Sequence, residues 1–297
     1  MMIVKSVLRT MFSSFSVAVL TSMSVPAAIA QEKSNLGNDA TNPAAPLIQL
    51  QLQDSLTPDT YGLDGVANAF IVQPVYPIIL GPDHYFQSII TRTTVPLVTT
   101  AKLPKPGGGT KSHTDLGDTV FLAVPAHKED IGPTPGDFFT WAPVGATTIP
   151  TATSKFTGSD KWSVGPGLFL LRGMANVFTD GDAVQVGALA YQQWSIAGKS
   201  SRPDVSKIFL QPVVNYHFAS LFNQKGWYAG LPDDLSNYNW EAKQWGQIPV
   251  GARLGRVFHI GNQPINLFGQ GWWNAANNRP GGSKYTLKAN LTFLFPQ

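Results

Sequence analysis

The sequence predicts an all-β fold, a single antiparallel β-barrel of roughly 12 strands. From residue 45 onward, apolar and polar side chains alternate with period 2 in segments of about ten residues, which Gly, Pro, Asn and Asp separate. Only 13% of the residues are charged, against about 25% in a typical soluble domain. No run of about 18 apolar residues follows the N-terminus, which excludes a helical membrane protein and favours a transmembrane barrel of the outer-membrane type.

Residues 1–30 have the pattern of a secretory signal peptide. Lys5 and Arg9 make the start basic, an apolar core follows, and small residues end at Ala30, after which cleavage is predicted. A permanent membrane helix is disfavoured because the apolar core is short and contains Pro26. Export and a barrel together predict a place in the bacterial outer membrane. The remaining chain divides into an N-terminal periplasmic or plug segment, residues 31–44, and the transmembrane barrel, residues 45–297.

The alternation is clearest in the last segment, where Leu287, Ala289 and Leu291 are separated by polar residues. A soluble β-sandwich also alternates, but its polar positions are usually richer in Lys and Glu than these amide- and hydroxyl-rich ones. Prolines such as Pro74 and Pro212 conflict with a regular ladder, because each lacks an N–H donor. Strands are predicted at residues 45–54, 65–78, 84–97, 114–125, 137–146, 161–172, 183–196, 206–218, 226–232, 245–259, 263–274 and 284–295.

The connections on one side of the predicted barrel are mostly long, and those on the other side are mostly tight, as at Gly81-Pro82-Asp83. Long external loops and short periplasmic turns are typical of outer-membrane barrels. The external loops are predicted at residues 55–64, 98–113, 147–160, 197–205, 233–244 and 275–283.

Tryptophans near the predicted strand ends indicate an aromatic girdle at the lipid–water interface. Ordinary core tryptophans are the alternative. The tryptophans concerned are Trp141, Trp162, Trp194, Trp227, Trp245, Trp272 and Trp273.

Signals for catalysis or metal binding are missing from the sequence. Without cysteine, disulfides, thiolate sites and a cysteine nucleophile are excluded. The five histidines form no paired-ligand pattern, and no GxSxG motif occurs. Acidic pairs such as Asp180 with Asp182 and Asp233 with Asp234 are explained by turn chemistry. We therefore predict no enzyme, no catalytic or metal residue and no cofactor. Because Lys and Arg are scattered and the net charge is only +3, no nucleic-acid partner is expected.

Cations inside predicted strands point to the barrel interior. At the bilayer midplane, a lipid-facing Arg or Lys costs about 2–4 kcal/mol, so Arg92, Arg253 and Lys288 should face the lumen. There they either contact solutes or only satisfy interior polar networks. Gln270 and Trp272 are further candidates for contact with solutes, and Arg202 and Asp204 are candidates in an external loop.

Short segments over nearly all of the mature chain share the pattern of one known family. They are Ala40-Thr41-Asn42-Pro43, FIVQPVYP (70–77), Pro150-Thr151-Ala152-Thr153, GSDKWSVGP (158–166), QWSIAG (193–198), SRPD (201–204), FLQP (209–212), Asn239-Trp240-Glu241-Ala242, GNQPIN (261–266) and FLFP (293–296). In these segments the chain resembles the bacterial outer-membrane family named for a component of a phenol-degradation pathway (MetA-like transporters), often mislabelled "neuromedin U".

This resemblance implies an outer-membrane barrel that takes up small compounds, aromatic or hydrophobic ones among them. It implies no catalytic or ligand residue. Phe295 is similar in placement to the terminal aromatic residue that the barrel-assembly machinery recognises, although Pro296 and Gln297 extend beyond it. The expected partners are small solutes, outer-membrane lipid and that machinery.

Two functions are compatible with these features, and a third, a barrel enzyme such as an outer-membrane lipase, is disfavoured because no pairing of a nucleophile with a base is recognisable. The first is a channel or transporter through which small solutes diffuse, with a lumen narrowed by side chains and by residues 31–44. The second is a non-conducting structural or surface-interaction barrel with a filled lumen. Single-channel conductance distinguishes them.

Overall fold

The computed structural model describes residues 36–276 and 281–296. They form one short helix, α1 (Leu36–Thr41), and a series of strands. The strands are β1 (Ile48–Thr60), β2 (Ala67–Ile79), β3 (Ser88–Thr99), β4 (Leu103–Pro104), β5 (Thr110–Lys111), β6 (Thr114–Leu116), β7 (Thr119–Asp130), β8 (Phe138–Ile149), β9 (Lys161–Ala175), β10 (Ala183–Gly198), β11 (Ser206–His217), β12 (Trp227–Gly230), β13 (Ser236–Asn239), β14 (Gln244–Gln247), β15 (Pro249–Ile260), β16 (Gln263–Asn274) and β17 (Ser283–Phe295). None of the described helical residues belongs to a helix long and apolar enough to cross a bilayer.

Twelve of the strands in the described part of the chain form a closed antiparallel barrel. Each wall strand pairs with the next one along the chain, and β1 pairs with β17, which places Ile48 opposite Phe295. Closure satisfies the backbone groups that an open sheet edge would leave without partners in lipid. The predicted fold is confirmed. The wall consists of β1–β3, β7–β12 and β15–β17.

The two faces of the wall differ in polarity, as β17 shows. Lys288, Asn290 and Thr292 are buried on the inner face, whereas Leu287 on the outer face is 47% exposed. Because successive side chains in a strand point to opposite faces, one strand can present an apolar surface to lipid and a polar one to the lumen. The same outer band contains exposed Leu168, Leu170, Val186, Leu210, Val214, Leu254 and Leu267.

Aromatic side chains border this apolar band at both ends of the barrel. At the end that carries the long loops 100–118 and 231–248, the exposed aromatic residues are Trp162, Trp194, Trp240, Trp245, Trp273 and Tyr285. At the other end they include Tyr85, Phe178 and Phe222. Amphipathic rings are favoured at the lipid–water interface. Trp272 is an exception, because its side chain is buried in the lumen rather than in a girdle.

Interruptions of the hydrogen-bond ladder accommodate several prolines. The pairing of β2 with β3 skips Pro74, and the pairing of β7 with β8 skips the stretch in which Pro125 and Pro143 lie. A proline cannot donate a ladder hydrogen bond, so these positions tolerate it. The prediction that prolines occur inside strands is confirmed; Pro74, Pro125 and Pro143 lie at gaps of this kind, whereas Pro212 lies opposite Ala188 in a pairing without a gap.

The strand boundaries differ from the prediction at β1, which runs to Thr60 rather than ending at residue 54, and in two further places. The predicted strand 114–125 is split into β6 and β7, and β7 runs on to Asp130. The predicted strand 226–232 is shortened to β12, because the chain leaves the wall after Gly230. Residues 215–217 of β11 pair with β12, and residues 207–210 of β11 pair with β13. Residues 231–235, named here the inward loop, turn into the barrel between these two pairings.

Candidate functional site in the barrel lumen

Residues 36–47 lie inside the barrel, and we call them the inner segment. The hydroxyl of Thr41 lies 2.9 Å from Oε1 of Gln185 and 3.0 Å from Nε2 of His217, both on the inner wall. Nε2 of Gln185 also donates a hydrogen bond of 2.9 Å to the carbonyl of Asn38. The wall strands β10 and β11 therefore hold the helix α1 by polar contacts.

Apolar contacts hold the rest of the inner segment. Ala44 is buried in a cluster with Val75, Ile90 and Leu122 of the wall. Ala45 and Leu47 are buried in a second cluster, which includes Tyr228. Burial of apolar side chains contributes roughly 25 cal/mol per Å². The inner segment is thus packed against both sides of the lumen.

The inward loop fills a second part of the lumen. Its first residue, Leu231, donates a backbone hydrogen bond of 3.0 Å to the carbonyl of Val214 in β11. Beyond that point the loop carries Asp233 and Asp234 to the cation on β17, Lys288. The sequence prediction placed these two aspartates in an external loop, where turn chemistry explains them, whereas in the structure both carboxylates lie against the inner wall.

Lys288 is the centre of a buried ion cluster. Its Nζ lies 2.8 Å from Oδ1 of Asp233 and 3.0 Å from Oδ1 of Asp234, and its side chain is only 4% exposed. The indole N–H of Trp272 donates a hydrogen bond of 2.8 Å to Asp234, and the amide of Gln270 donates another. Charges removed from water need this kind of complete pairing.

Arg253 completes the cluster from β15, which β16 separates from the strand of Lys288. Its Nη1 lies 3.8 Å from Oδ2 of Asp233, and its guanidinium lies over the rings of Tyr228, at 5.5 Å, and Phe268, at 5.1 Å. Gly255 makes room for this arrangement, because a Cβ there would lie 2.4 Å from Cζ of Tyr228. Arg253 is therefore both paired and stacked.

A ladder of amides and hydroxyls covers the adjoining wall, formed by β1, β2 and β3. Gln51 donates to Gln49 at 2.9 Å, and Gln53 and Gln73 donate to Gln51 at 3.0 and 2.8 Å. Thr94 donates to Gln73 at 2.8 Å. These neutral groups offer hydrogen bonds to a passing solute without adding charge to the wall.

A cavity of roughly 210 Å³ lies between the inner segment, the inward loop and the wall. Its lining combines the amide ladder with apolar side chains and five charged residues. The charged residues are Arg92, Asp233, Asp234, Arg253 and Lys288. A concave site of mixed polarity with a few polar groups is the usual form of a small-molecule site. For this reason we regard this cavity as the candidate site.

The structure places the five predicted lumen residues on the inner face of the wall. Arg92, Arg253 and Lys288 line the cavity, and Gln270 and Trp272 hold Asp234 beside it. Their contact with solutes stays a prediction.

The predicted loop residues take part in surface ion pairs. Arg202 pairs with Asp160 at 3.4 Å, and Asp204 pairs with Lys161 at 2.9 Å. Phe295 ends β17 and is 36% exposed, and its role in assembly stays a prediction. The proposed cleavage site at Ala30 lies outside the described residues.

Sequence reasoning missed several residues of the site, among them Tyr191 and the aspartates of the inward loop. The poor alternation between Gly226 and Ala242 was the available signal for a departure from the wall. It could not indicate that the chain turns inward, since the partner of Asp233 is Lys288, 55 residues further along the sequence.

The fold is similar to that of an outer membrane channel from Pseudomonas putida F1. The TM-score is 0.54 at 13% sequence identity, and the match covers 84% of this chain and 94% of that chain. The chain folds as an outer-membrane-type β-barrel. The match to the outer membrane phospholipase A of Escherichia coli covers 90% of this chain and 95% of that chain at 9% identity, but its TM-score of 0.37 is too low to indicate a shared fold. No protein-family model matches the sequence, and no curated protein is similar to it.

Among the described residues, no three His, Asp or Glu side chains lie close enough together to hold a metal ion.

Proposed function

We propose that this protein is an outer-membrane channel for small solutes, aromatic or hydrophobic compounds among them. The observation that carries the proposal is the cavity inside a closed barrel, whose outer face is apolar and bordered by aromatic rings. A barrel with that surface belongs in a bilayer. The amides and charged side chains of the lumen can form hydrogen bonds with a solute, and its apolar side chains can contact the apolar part of the same solute.

The inner segment and the inward loop make the channel a gated one in this proposal. Both lie across the lumen, and both are held by side-chain contacts that can be released without breaking the wall. The resemblance to a family of uptake barrels supports the class of solute, and the fold of the Pseudomonas channel supports a barrel that conducts.

A non-conducting structural or surface-interaction barrel is the second candidate. The packing of Ala44, Ala45 and Leu47 into buried clusters favours it, because side chains that fill the lumen would obstruct the passage of a solute. The two candidates differ in one measurable property, the passage of current.

The test is planar-bilayer recording of the refolded mature protein. We expect discrete conductance steps, and larger steps for Ala44→Arg, because Ala44 is 4% exposed and its site cannot hold an arginine side chain while the inner segment stays in place. Pro46→Arg is the matched control, since Pro46 is exposed. Correctly inserted protein that passes no current, as wild type and as Ala44→Arg, would instead establish the structural barrel.

A further inference from the structure

The charged residues that line the cavity do not balance. Asp233 and Asp234 neutralise Lys288 and Arg253, with which they form the ion cluster. Arg92 remains as an additional cation. The cavity lining in the described part of the chain therefore carries one positive charge that its own carboxylates do not compensate.

The surroundings of Arg92 do not supply the missing acceptor. Within the described residues, no hydrogen bond or ion pair of its guanidinium is found, and its buried Nε has no partner. On one side of Arg92 is a second, much smaller cavity of roughly 10 Å³, with apolar neighbours that include Leu122, Val124 and Phe169. On the other side is the main cavity. Arg92 is half-buried, and a cation that is partly removed from water without an acceptor is unfavourable, so an acceptor that enters the cavity would be bound favourably.

The shape and lining of the cavity restrict the kind of acceptor. A guanidinium binds a carboxylate through two parallel hydrogen bonds. Ile71, Val75 and Val120 line the cavity near Arg92 and suit an apolar body. The cavity of roughly 210 Å³ exceeds the roughly 150 Å³ apolar cavity that accommodates benzene, so it has room for one ring and a small acidic group.

We infer that the cavity is a binding site for a small organic monoanion, an aromatic carboxylate, with Arg92 as the residue that binds its carboxylate. This inference rests on the proposed function and deepens it, because it names the class of solute that binds inside the channel. It assigns the ring of the solute to the aliphatic side chains of β2 and β7, and the carboxylate to β3. The carboxylate is not assigned to Lys288 or Arg253, since Asp233 and Asp234 compensate their charges, although Nε of Arg253 also lacks a hydrogen-bond partner.

Isothermal titration calorimetry of the full mature protein in detergent tests the site, with benzoate as the probe. We expect wild type to bind benzoate and Arg92→Gln to bind it at least tenfold more weakly. Arg92→Lys should be intermediate, because it keeps the charge but loses the second parallel hydrogen bond. Arg256→Gln is the matched control. Arg256 lies on the outer face of β15, where it donates to the carbonyl of Lys225 and lies over Trp227, so its removal should leave the affinity unchanged.

Two further ligands separate the parts of the inference. Benzyl alcohol keeps the ring without the charge, and acetate keeps the charge without the ring, and we expect both to bind at least tenfold more weakly than benzoate. Equal binding of benzoate to Arg92→Gln and wild type, with both proteins folded by circular dichroism, would overturn the inference, and so would the absence of any benzoate binding. Acetate as tight as benzoate would overturn the assignment of the ring.

Bilayer recordings keep this result separate from the proposed function. Conductance without benzoate binding would overturn the anion site and leave the channel standing. Benzoate binding that depends on Arg92, without conductance, would support the site and contradict the channel.

Discussion

Replacing Lys288 with methionine is the sharpest test of whether the inward loop acts as a gate. Lys288→Met leaves the carboxylates of Asp233 and Asp234 beside one another, and among the described residues Arg253, at 3.8 Å from Asp233, is the remaining ion-pair partner. Breaking a buried ion pair by removing one partner costs about 3–5 kcal/mol. The two carboxylates are 17% and 18% exposed, so we take the lower end, about 3 kcal/mol. At about 1.4 kcal/mol per factor of ten, this is a shift of roughly a hundredfold toward states in which the inward loop leaves the lumen.

Lys284→Met is the matched control on the same strand. Lys284 pairs with Asp59 at 2.9 Å, nearly the same distance, but the two side chains are 32% and 45% exposed. Exposed pairs of this kind contribute about 0–1 kcal/mol. The two substitutions therefore remove the same ammonium from the same type of pair and differ in burial.

Single-channel recording and thiol labelling report the position of the inward loop. Since the chain has no cysteine, a cysteine introduced at Leu235 would be the only target for a charged, water-soluble thiol reagent. We expect larger conductance steps and faster labelling of this cysteine with Lys288→Met, and neither with Lys284→Met. Adding Asp234→Asn to Lys288→Met should restore the closed behaviour, because Asp233 stays paired with Arg253 and no unpaired carboxylate remains. Wild-type conductance and labelling rates with Lys288→Met would refute the reasoning.

Three further predictions follow from other parts of the structure. Ala289→Arg, on the outer face at the middle of β17, should destabilise the folded barrel in lipid vesicles by about 2–4 kcal/mol in urea titrations, whereas Tyr285→Arg, near the aromatic border, should cost about 0–1 kcal/mol; equal costs would contradict the placement of the membrane. Burial alone would raise the pKa of Asp182, but hydrogen bonds from Tyr216 and from the backbone N–H groups of residues 177–179 lower it overall. The carboxylate's contribution to stability is thus complete above the unfolded pKa of about 3.9 and lost as the pH falls through the lower folded pKa; thermal unfolding should show a larger decline for wild type than for Asp182→Asn. Gly255→Leu should displace the Tyr228 ring, because even a Cβ at that position lies 2.4 Å from it, and fluorescence-detected unfolding should show a loss of several kcal/mol that Gly269→Ala, where a Cβ has room, does not show.

The wall of the barrel could be predicted from the sequence because each of its strands carries its own signal. The prediction for residues 263–274 agrees with β16, since the preceding turn at Gly261 and Asn262 and the alternation that follows define the strand locally. The polarity of the lumen face was predictable for the same reason, and so was the inward direction of Lys288.

The filling of the lumen could not be predicted, because it depends on contacts between residues far apart in the chain. Thr41 lies 144 residues from its partner Gln185. Asp233 and Asp234 have the sequence pattern of a turn, and only the closed barrel brings them to Lys288. The cavity beside Arg92 likewise exists only where three distant parts of the chain meet. The sequence could therefore identify Arg92 as a lumen cation, but it could not show that Arg92 lacks an acceptor.

The most direct test of a gated solute channel is the uptake of a small aromatic solute into proteoliposomes. With equal amounts of inserted protein, we predict uptake above that of protein-free vesicles for wild type, and faster uptake for Lys288→Met than for Lys284→Met. Uptake by all three proteins at the rate of protein-free vesicles would contradict a channel through this lumen.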